Sequence, residues 1–400
     1  MKVLFIVPYV PNLIRVRPYN LIRHLSTLGH QVHVLTIWSN EQEREDVERL
    51  RQQCDQVQAV YLPRWRSLLN SLKAVPGTEP LQAAYCWQEQ LLALAKDIPA
   101  DVIHVEHLRG ARYGLHLQNW QAKLKAYTPI VWDSVDCISL LFRQAAAQSK
   151  RLVSRWMTQF EVGRTERYEG ELVNQFDRVL VTSPADKKAL QVLQPNSSAV
   201  IEILPNGVDL DYFELDPSEA REPATLVISG KMSYHANVTM VMNFVHNILP
   251  RITARCPEVK LWIVGKDPTS AIRALADNPA ITVTGTVTDI RPYLRRATIA
   301  VAPIAYGVGI QNKVLEAMGC GTPMVSTSQA VSALEAWPGR DVLVADHAEE
   351  FADKVVELLG DPQRQRQLGQ AGRRYVEAQH NWARITTRLE GIYHGVTVRV

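Results

Sequence analysis

The segment Ala305-Tyr-Gly-Val-Gly-Ile-Gln-Asn-Lys-Val-Leu-Glu-Ala-Met-Gly-Cys-Gly-Thr-Pro-Met-Val-Ser-Thr327 gathers residue types suited to holding a diphosphate and a ribose. Gly307 and Gly309 carry no side chain to obstruct a ligand, so the backbone N–H groups of Val308, Gly309 and Ile310 can approach phosphate oxygens. Ile310, Val314, Ala317 and Met318 recur at helical spacing, which predicts a helix over 310–319. Gly319, Gly321 and Pro323 then supply its stop. The positive end of that helix faces the glycine loop. Lys313 and Glu316 share a face with Gly309 and Asn312, placing an ammonium near the phosphates and a carboxylate about one turn deeper. An ionised Glu offers two acceptor oxygens, and the 2′ and 3′ hydroxyls of a ribose are two adjacent donors. Spacing alone fits a solvated Lys–Glu pair on an amphipathic helix equally well.

The elements that must position these residues alternate between strand and helix, twice over. In the first half, strands are predicted at 2–7, 31–36, 57–62, 101–105, 129–132, 177–182 and 199–204, with helical stretches such as 81–96 and 139–175 between them. The second series has strands at Leu226–Ser229, Val259–Val264, Ile281–Thr284, Ile299–Pro303, Met324–Ser326 and Val342–Ala345, and helices near 237–249, 310–319, 347–359 and 363–378. Alternation of this kind implies parallel, doubly wound sheets, which bind ligands at the carboxyl ends of their strands. The polar, turn-rich stretch 206–223 reads as a linker between domains 1–205 and 224–378. The last segment, 379–400, carries an apolar stripe of Trp382, Ile385, Leu389, Ile392 and Tyr393.

Composition agrees with two ordinary cores. The chain has 400 residues, 46% of them hydrophobic and 21% charged. A net charge of +3, with no basic run interleaved with aromatics, argues against nucleic acid as a partner. Five cysteines without a Cys-x-x-Cys argue against a disulfide scaffold or structural zinc. Met1-Lys-Val-Leu-Phe-Ile-Val-Pro8 superficially resembles a signal peptide. It lacks a small-residue cleavage site and leads straight into an amphipathic helix over 17–28, so a buried first strand is expected. No segment reaches the roughly 18 apolar residues of a membrane span, and cytoplasmic residence is the expectation.

The run Glu316-Ala-Met-Gly-Cys-Gly-Thr-Pro-Met-Val325 behind its glycine loop resembles the signature of family 4 glycosyltransferases of the GT-B fold. Lys313, three residues before the Glu, is similar to the exopolysaccharide-associated branch. So is Ser229-Gly-Lys-Met-Ser-Tyr-His-Ala-Asn237. Leu204-Pro-Asn-Gly-Val-Asp209 with Phe213 resembles the family's interdomain segment, and Gly285-Thr-Val-Thr-Asp289 the loop that holds the base. The resemblance spans essentially the whole chain. It implies two facing Rossmann-like domains with an interdomain cleft, a C-terminal helix crossing back to the first domain, and retention of the donor's anomeric configuration.

On this reading Lys231, at the carboxyl end of a strand, joins Lys313 and a helix N-terminus in offsetting the charge of a departing nucleoside diphosphate without a metal ion. Gly230, Gly285, Val287, Gly307, Val308, Gly309, Ile310 and Asn312 complete the donor site, with Gly285 and Val287 presenting backbone groups to the base. A UDP-sugar is the preferred donor. Asp209-Leu-Asp211 matches an Asp-x-Asp metal pattern but lies in the linker, far in sequence from the glycine loop. Two departures from the family pattern stand out. Val308 occupies the position of an upstream Glu that contacts the donor sugar, and the loop 8–17 lacks the usual glycine pair, where Arg15 and Arg17 either replace it or face solvent.

For the acceptor, a polysaccharide or a lipid-linked glycan, the candidates in the first domain are His107 and Asp133. Glu106 and Asp136 stand beside them, and His104 reads as a buried strand residue. Asp133 and Asp136 serve equally as caps of the following helix. Arg64-Trp-Arg-Ser-Leu-Leu-Asn-Ser-Leu-Lys73 suits peripheral contact with the inner face of a membrane and suits a loop helix just as well. Two rival functions remain on the same fold. One is a sugar-nucleotide 2-epimerase, which would need acid and base carboxylates near the sugar. The other is a non-catalytic member that binds a glycan or a partner transferase, a role with little need for a diphosphate clamp.

Overall fold

The computed structural model describes residues 1–148, 152–216, 218–307 and 309–398. They divide into two compact units, Met1–Pro205 with Trp382–Val400, and Asn206–Asn381.

The first unit holds seven strands: β1 (Lys2–Val7), β2 (Gln31–Trp38), β3 (Gln56–Tyr61), β4 (Val102–Glu106), β5 (Ile130–Val135), β6 (Arg178–Val181) and β7 (Ile201–Ile203). They form one parallel sheet in the order β3-β2-β1-β4-β5-β6-β7. The central strand β1 shows why the sheet is covered twice. Its Leu4 and Ile6 enter one apolar cluster, while Val3, Phe5 and Val7 enter another on the opposite face. The helix Trp382–Thr397 supplies Trp382, Ile385, Leu389, Ile392, Tyr393 and Val396 to the second of these clusters, so the last segment belongs to the first unit's core.

The second unit holds β8 (Glu222–Ser229), β9 (Lys260–Val264), β10 (Ile281–Gly285), β11 (Ala297–Ala302), β12 (Met324–Ser326) and β13 (Leu343–Val344). They also form one parallel sheet, ordered β10-β9-β8-β11-β12-β13. The chain order reverses beside β8, so the carboxyl ends of β8 and β11 flank the switch point at which such sheets bind ligands.

Three expectations from the sequence need correction. The stretch 81–96 is two helices, Leu81–Tyr85 and Glu89–Asp97. The break is held by the Tyr113 hydroxyl, which donates to Cys86 O (2.6 Å) and accepts from Gln88 N (2.8 Å) in place of the helical pattern. The stretch 139–175 is likewise divided, into Ile138–Gln148 and Leu152–Val173, with 149–151 outside the described residues. The polar stretch 206–223 is part of the second unit, not a free linker. Arg221 donates to the carbonyls of Arg295, Ala297 and Gly321, and Arg373 donates to those of Phe213 and Gly319. Arg221, from within the stretch, thus caps carbonyls of the domain body, and Arg373, from the domain body, caps the stretch's Phe213 carbonyl, so the stretch is tied down at both points.

Candidate active site

In the second unit most of the predicted donor residues gather at the ends of β8 and β11, with Gly285 and Val287 at the end of β10. The helix after the glycine loop is Asn312–Gly319, two residues shorter at its start than the apolar spacing suggested. Gly309 has φ 62° and Gln311 is extended, so helical geometry cannot begin before Asn312. Among the described residues no side chain caps this helix start, the condition in which first-turn N–H groups can receive an anion. Asn312 Oδ1 is buried with no hydrogen-bond partner among the described residues. Gly307 is fixed from behind by Gln329 Nε2, which donates to its carbonyl at 2.8 Å. Val308 lies outside the described residues, and Ile310 is buried in the unit's core.

Lys313 reaches from this helix to the loop after β8. Its Nζ donates to Asn237 Oδ1 at 2.8 Å, and Asn237 Nδ2 in turn donates to Lys231 O at 2.9 Å. Gly230 is where the two segments touch. A Cβ there would stand 2.9 Å from Asn237 Nδ2 and 3.3 Å from Lys313 Cε, and its φ of 144° is one that side chains avoid. Gly265, at the end of β9, lies under the same loop, where a Cβ would meet the Gly230 carbonyl oxygen at 1.7 Å. The Lys231 side chain is exposed.

Burial lowers Lys313 to about 8, against the opposing pull of Glu316, and raises Glu316 to about 7, against Lys313. Both are half-buried, and the Glu316 carboxylate makes no hydrogen bond to another group among the described residues. A carboxylate held partly out of water with free acceptor oxygens is prepared to receive two hydroxyls. Above the same loop Tyr306 OH meets His235 Nδ1 at 2.6 Å with the rings stacked, a pair that the sequence did not single out. Gly285, with φ 67°, ends the edge strand β10, and the position a Cβ would take there is open. Val287 follows, half-buried. Asp209 Oδ1 accepts from Tyr212 N at 3.1 Å, so the first carboxylate of Asp209-Leu-Asp211 closes a turn.

In the first unit the carboxyl edge of the sheet carries a buried network. Register pairs Glu106, the last residue of β4, with Asp133 near the end of β5. Burial alone would raise Asp133, yet the Arg17 guanidinium, whose Nε donates to Oδ2 at 2.7 Å, holds it down to about 2. Its Oδ1 accepts from Val135 N at 3.1 Å. Asp133 is thus occupied on both oxygens, and Arg17, expected at a phosphate or in solvent, is buried and also donates to Leu204 O at 2.9 Å. His104 lies buried with Nδ1 2.8 Å from Tyr393 OH.

The open group at this edge is Glu106. Burial and the neighbouring Asp133 charge push it up to about 8, Tyr9 OH donates to Oε1 at 2.7 Å, and Oε2 is buried without a partner among the described residues. Tyr9 went unnoticed in the sequence, because nothing local marks a tyrosine 97 residues from its partner. His107 has φ 64°, a strained value for a non-glycine residue. Burial and Arg109 drive it down to about 3, so its imidazole is neutral at physiological pH. Neither Asp133 nor Asp136 caps the helix at 138. Glu169 accepts from Ile138 N and Ser139 N, and Asp186 from Cys137 N.

Comparison with known proteins follows this division. Residues 223–361 match the family model described as glycosyl transferases group 1, and residues 14–207 match the glycosyl transferase 4-like domain. The chain belongs to the family 4-like glycosyltransferases of the GT-B fold. It is 29% identical over 225 residues to a GDP-mannose-dependent alpha-(1-6)-phosphatidylinositol monomannoside mannosyltransferase of Mycobacterium tuberculosis, covering 50% of this chain and 57% of that one. A D-inositol 3-phosphate glycosyltransferase of Mycobacterium sp. (strain JLS) is 27% identical over 174 residues, 40% of this chain and 39% of that one. The chain therefore spans about half the length of the curated relatives it matches. Among solved structures, sucrose-phosphate synthase from Thermosynechococcus elongatus superimposes with a TM-score of 0.71 at 19% identity, covering all of both chains. Anabaena HepE in complex with UDP gives 0.72 at 14% identity, covering 99% of this chain and 100% of that one.

No helix among the described residues is long and apolar enough to cross a membrane.

Proposed function

We propose that this chain is a retaining, metal-independent glycosyltransferase that moves a sugar from a nucleoside diphosphate sugar to a polysaccharide or lipid-linked glycan. The observation that carries the donor half is the group formed by Lys313, Glu316, the uncapped helix start at Asn312 and the Gly230 loop. The diphosphate sits at the helix N-terminus with Lys313 and Lys231 beside it, and the ribose hydroxyls donate to Glu316. UDP is the first candidate for the nucleotide, consistent with the UDP complex of the HepE fold neighbour, and GDP, named in the mycobacterial relatives, is the second. The acceptor is received at the first unit's carboxyl edge, beside Glu106, whose buried Oε2 has no hydrogen-bond partner among the described residues.

In the proposed reaction the acceptor hydroxyl attacks the anomeric carbon from the face the diphosphate leaves. The new C–O bond forms as the C–O bond to phosphate breaks, and the hydroxyl proton passes to the departing phosphate oxygen. Such a route needs charge stabilisation and positioning, and no covalent intermediate on the protein. Two lysines and a helix dipole supply the charge without a metal ion.

Thermal unfolding in EDTA with UDP, GDP, ADP, dTDP and CMP tests the donor half. A ligand at a hundred times its dissociation constant adds about 2.7 kcal/mol. One diphosphate should raise the midpoint, and Glu316→Ala should abolish the rise. A response to none of them, or an undiminished response in Glu316→Ala, overturns the assignment.

A further inference from the structure

The helix Arg64–Ala74 is built inside out. Its polar and small residues face the protein: Ser67 is buried, Asn70 donates to Trp87 O at 2.9 Å, and Ser71 donates to Leu81 O at 3.1 Å. Its large apolar residues face away, with Trp65 63%, Leu68 58%, Leu69 43% and Leu72 64% exposed. At about 100° per residue these four occupy one arc about 100° wide. A scatter of single exposed apolar side chains needs no explanation, but a contiguous helical stripe marks a contact surface.

The charges around the stripe identify what covers it. Arg64 lies on one side of the arc, Arg66 and Lys73 on the other, and all three are exposed. From Leu62 to Thr78 the chain has no Asp or Glu. Arg164 anchors the far end, donating to Ala74 O and Val75 O. An apolar stripe bounded on both sides by cations, on a segment that carries no anion of its own, matches an anionic bilayer surface. The Trp and Leu side chains enter the acyl boundary while the Arg and Lys heads stay at the phosphates. A protein partner would ordinarily leave polar pairs of both signs at the rim.

We propose that the helix Arg64–Ala74 seats the first unit on an anionic lipid surface, with Trp65, Leu68, Leu69 and Leu72 as the inserted residues. The helix follows β3, so it starts from the same carboxyl edge of the parallel sheet at which Glu106 ends β4. The binding itself requires no donor, no transfer and no nucleotide, so it stands or falls separately from the proposed activity.

Co-sedimentation of the full chain with vesicles of phosphatidylcholine, alone or with about one-third phosphatidylglycerol, tests this. The chain should pellet with the anionic vesicles, at least tenfold more than with the neutral ones, and should release as salt shortens the Debye length from about 10 Å toward 3 Å. Leu68→Asn/Leu72→Asn should lose the binding while keeping the parent's circular dichroism and melting midpoint, since both side chains are exposed. Failure to pellet with anionic vesicles at low salt overturns the proposal, as does unchanged binding in the double variant. A concentration-dependent dimer in sedimentation velocity that the double variant abolishes would also overturn it, assigning the stripe to a second copy of the chain.

Discussion

The two units solve opposite electrostatic problems. In the second, Lys313 and Glu316 come from one helix, are only half-buried, and keep hydrogen-bonding capacity in hand. In the first, Arg17, His104, Glu106, Asp133 and Tyr393 come from segments far apart in the chain, are buried, and largely satisfy one another. A clamp for a charged ligand must stay incompletely satisfied until the ligand arrives. A buried network has no such freedom, because an uncompensated charge in the interior is costly. Within the first unit's network only Glu106 keeps an open oxygen among these groups' carboxylates, and it does so at a raised proton affinity.

Breaking the buried network should have the largest effect. Asp133→Ala leaves the Arg17 guanidinium buried without its carboxylate and should cost about 3–5 kcal/mol. Urea unfolding followed separately in the two units should show the loss in the first alone, with the nucleotide response of the second intact. A cost below about 1 kcal/mol would mean that water reaches the pair and that the contrast between the units is overstated.

A smaller effect, of opposite sign, is expected in the clamp. Glu316 is raised to about 7, above its unfolded value near 4.5. Below about 4.5 both states are protonated and the group costs nothing. As pH rises toward 7 the unfolded state loses its proton first, so stability falls, and the full cost is present above 7. Glu316→Gln should therefore stabilise the ligand-free second unit at pH 8 by on the order of 1–3 kcal/mol, read as a higher melting midpoint, and leave it nearly unchanged at pH 4. No gain at pH 8 would mean that Glu316 is as well solvated as an ordinary surface carboxylate.

Tyr9→Phe should be the mildest change. It removes one hydroxyl that donates to Glu106 Oε1, worth about 0.5–1.5 kcal/mol. The donation favours the ionised carboxylate, so its loss should raise the Glu106 proton affinity further. Titration of the Glu106 carboxyl by carbon-13 NMR in parent and variant would register the shift, and a downward movement would reverse the assigned role.

The geometry of the proposed donor clamp was legible because its parts are local. A glycine loop, a Lys and a Glu three residues later are placed by helix periodicity alone, and Gly309 at φ 62° is the conformation its residue type allows. The helix start was misplaced by two residues because apolar spacing registers burial, and Ile310 is buried without being helical. Parallel sheets were likewise legible from the alternation of strand and helix, and the structure shows their consequence in β1, apolar on both faces. The acceptor edge was not. Asp133 carried the same chemical promise as Glu106 in the sequence, and only the arrival of Arg17 from 116 residues away occupied one and left the other open.

By itself, then, the sequence determined the two alternating α/β series, the parallel sheets and the placing of Lys313 and Glu316 on one helix behind a glycine loop, each set by periodicity or by neighbours within one turn. Tertiary structure alone decided which carboxylate of the first unit is neutralised, that 206–223 is bound into the second unit, and that the Arg64–Ala74 helix turns its leucines outward. Those outcomes depend on which distant groups come to share a low-dielectric space, and on which face of a helix finds a neighbour. Local residue types do not specify either.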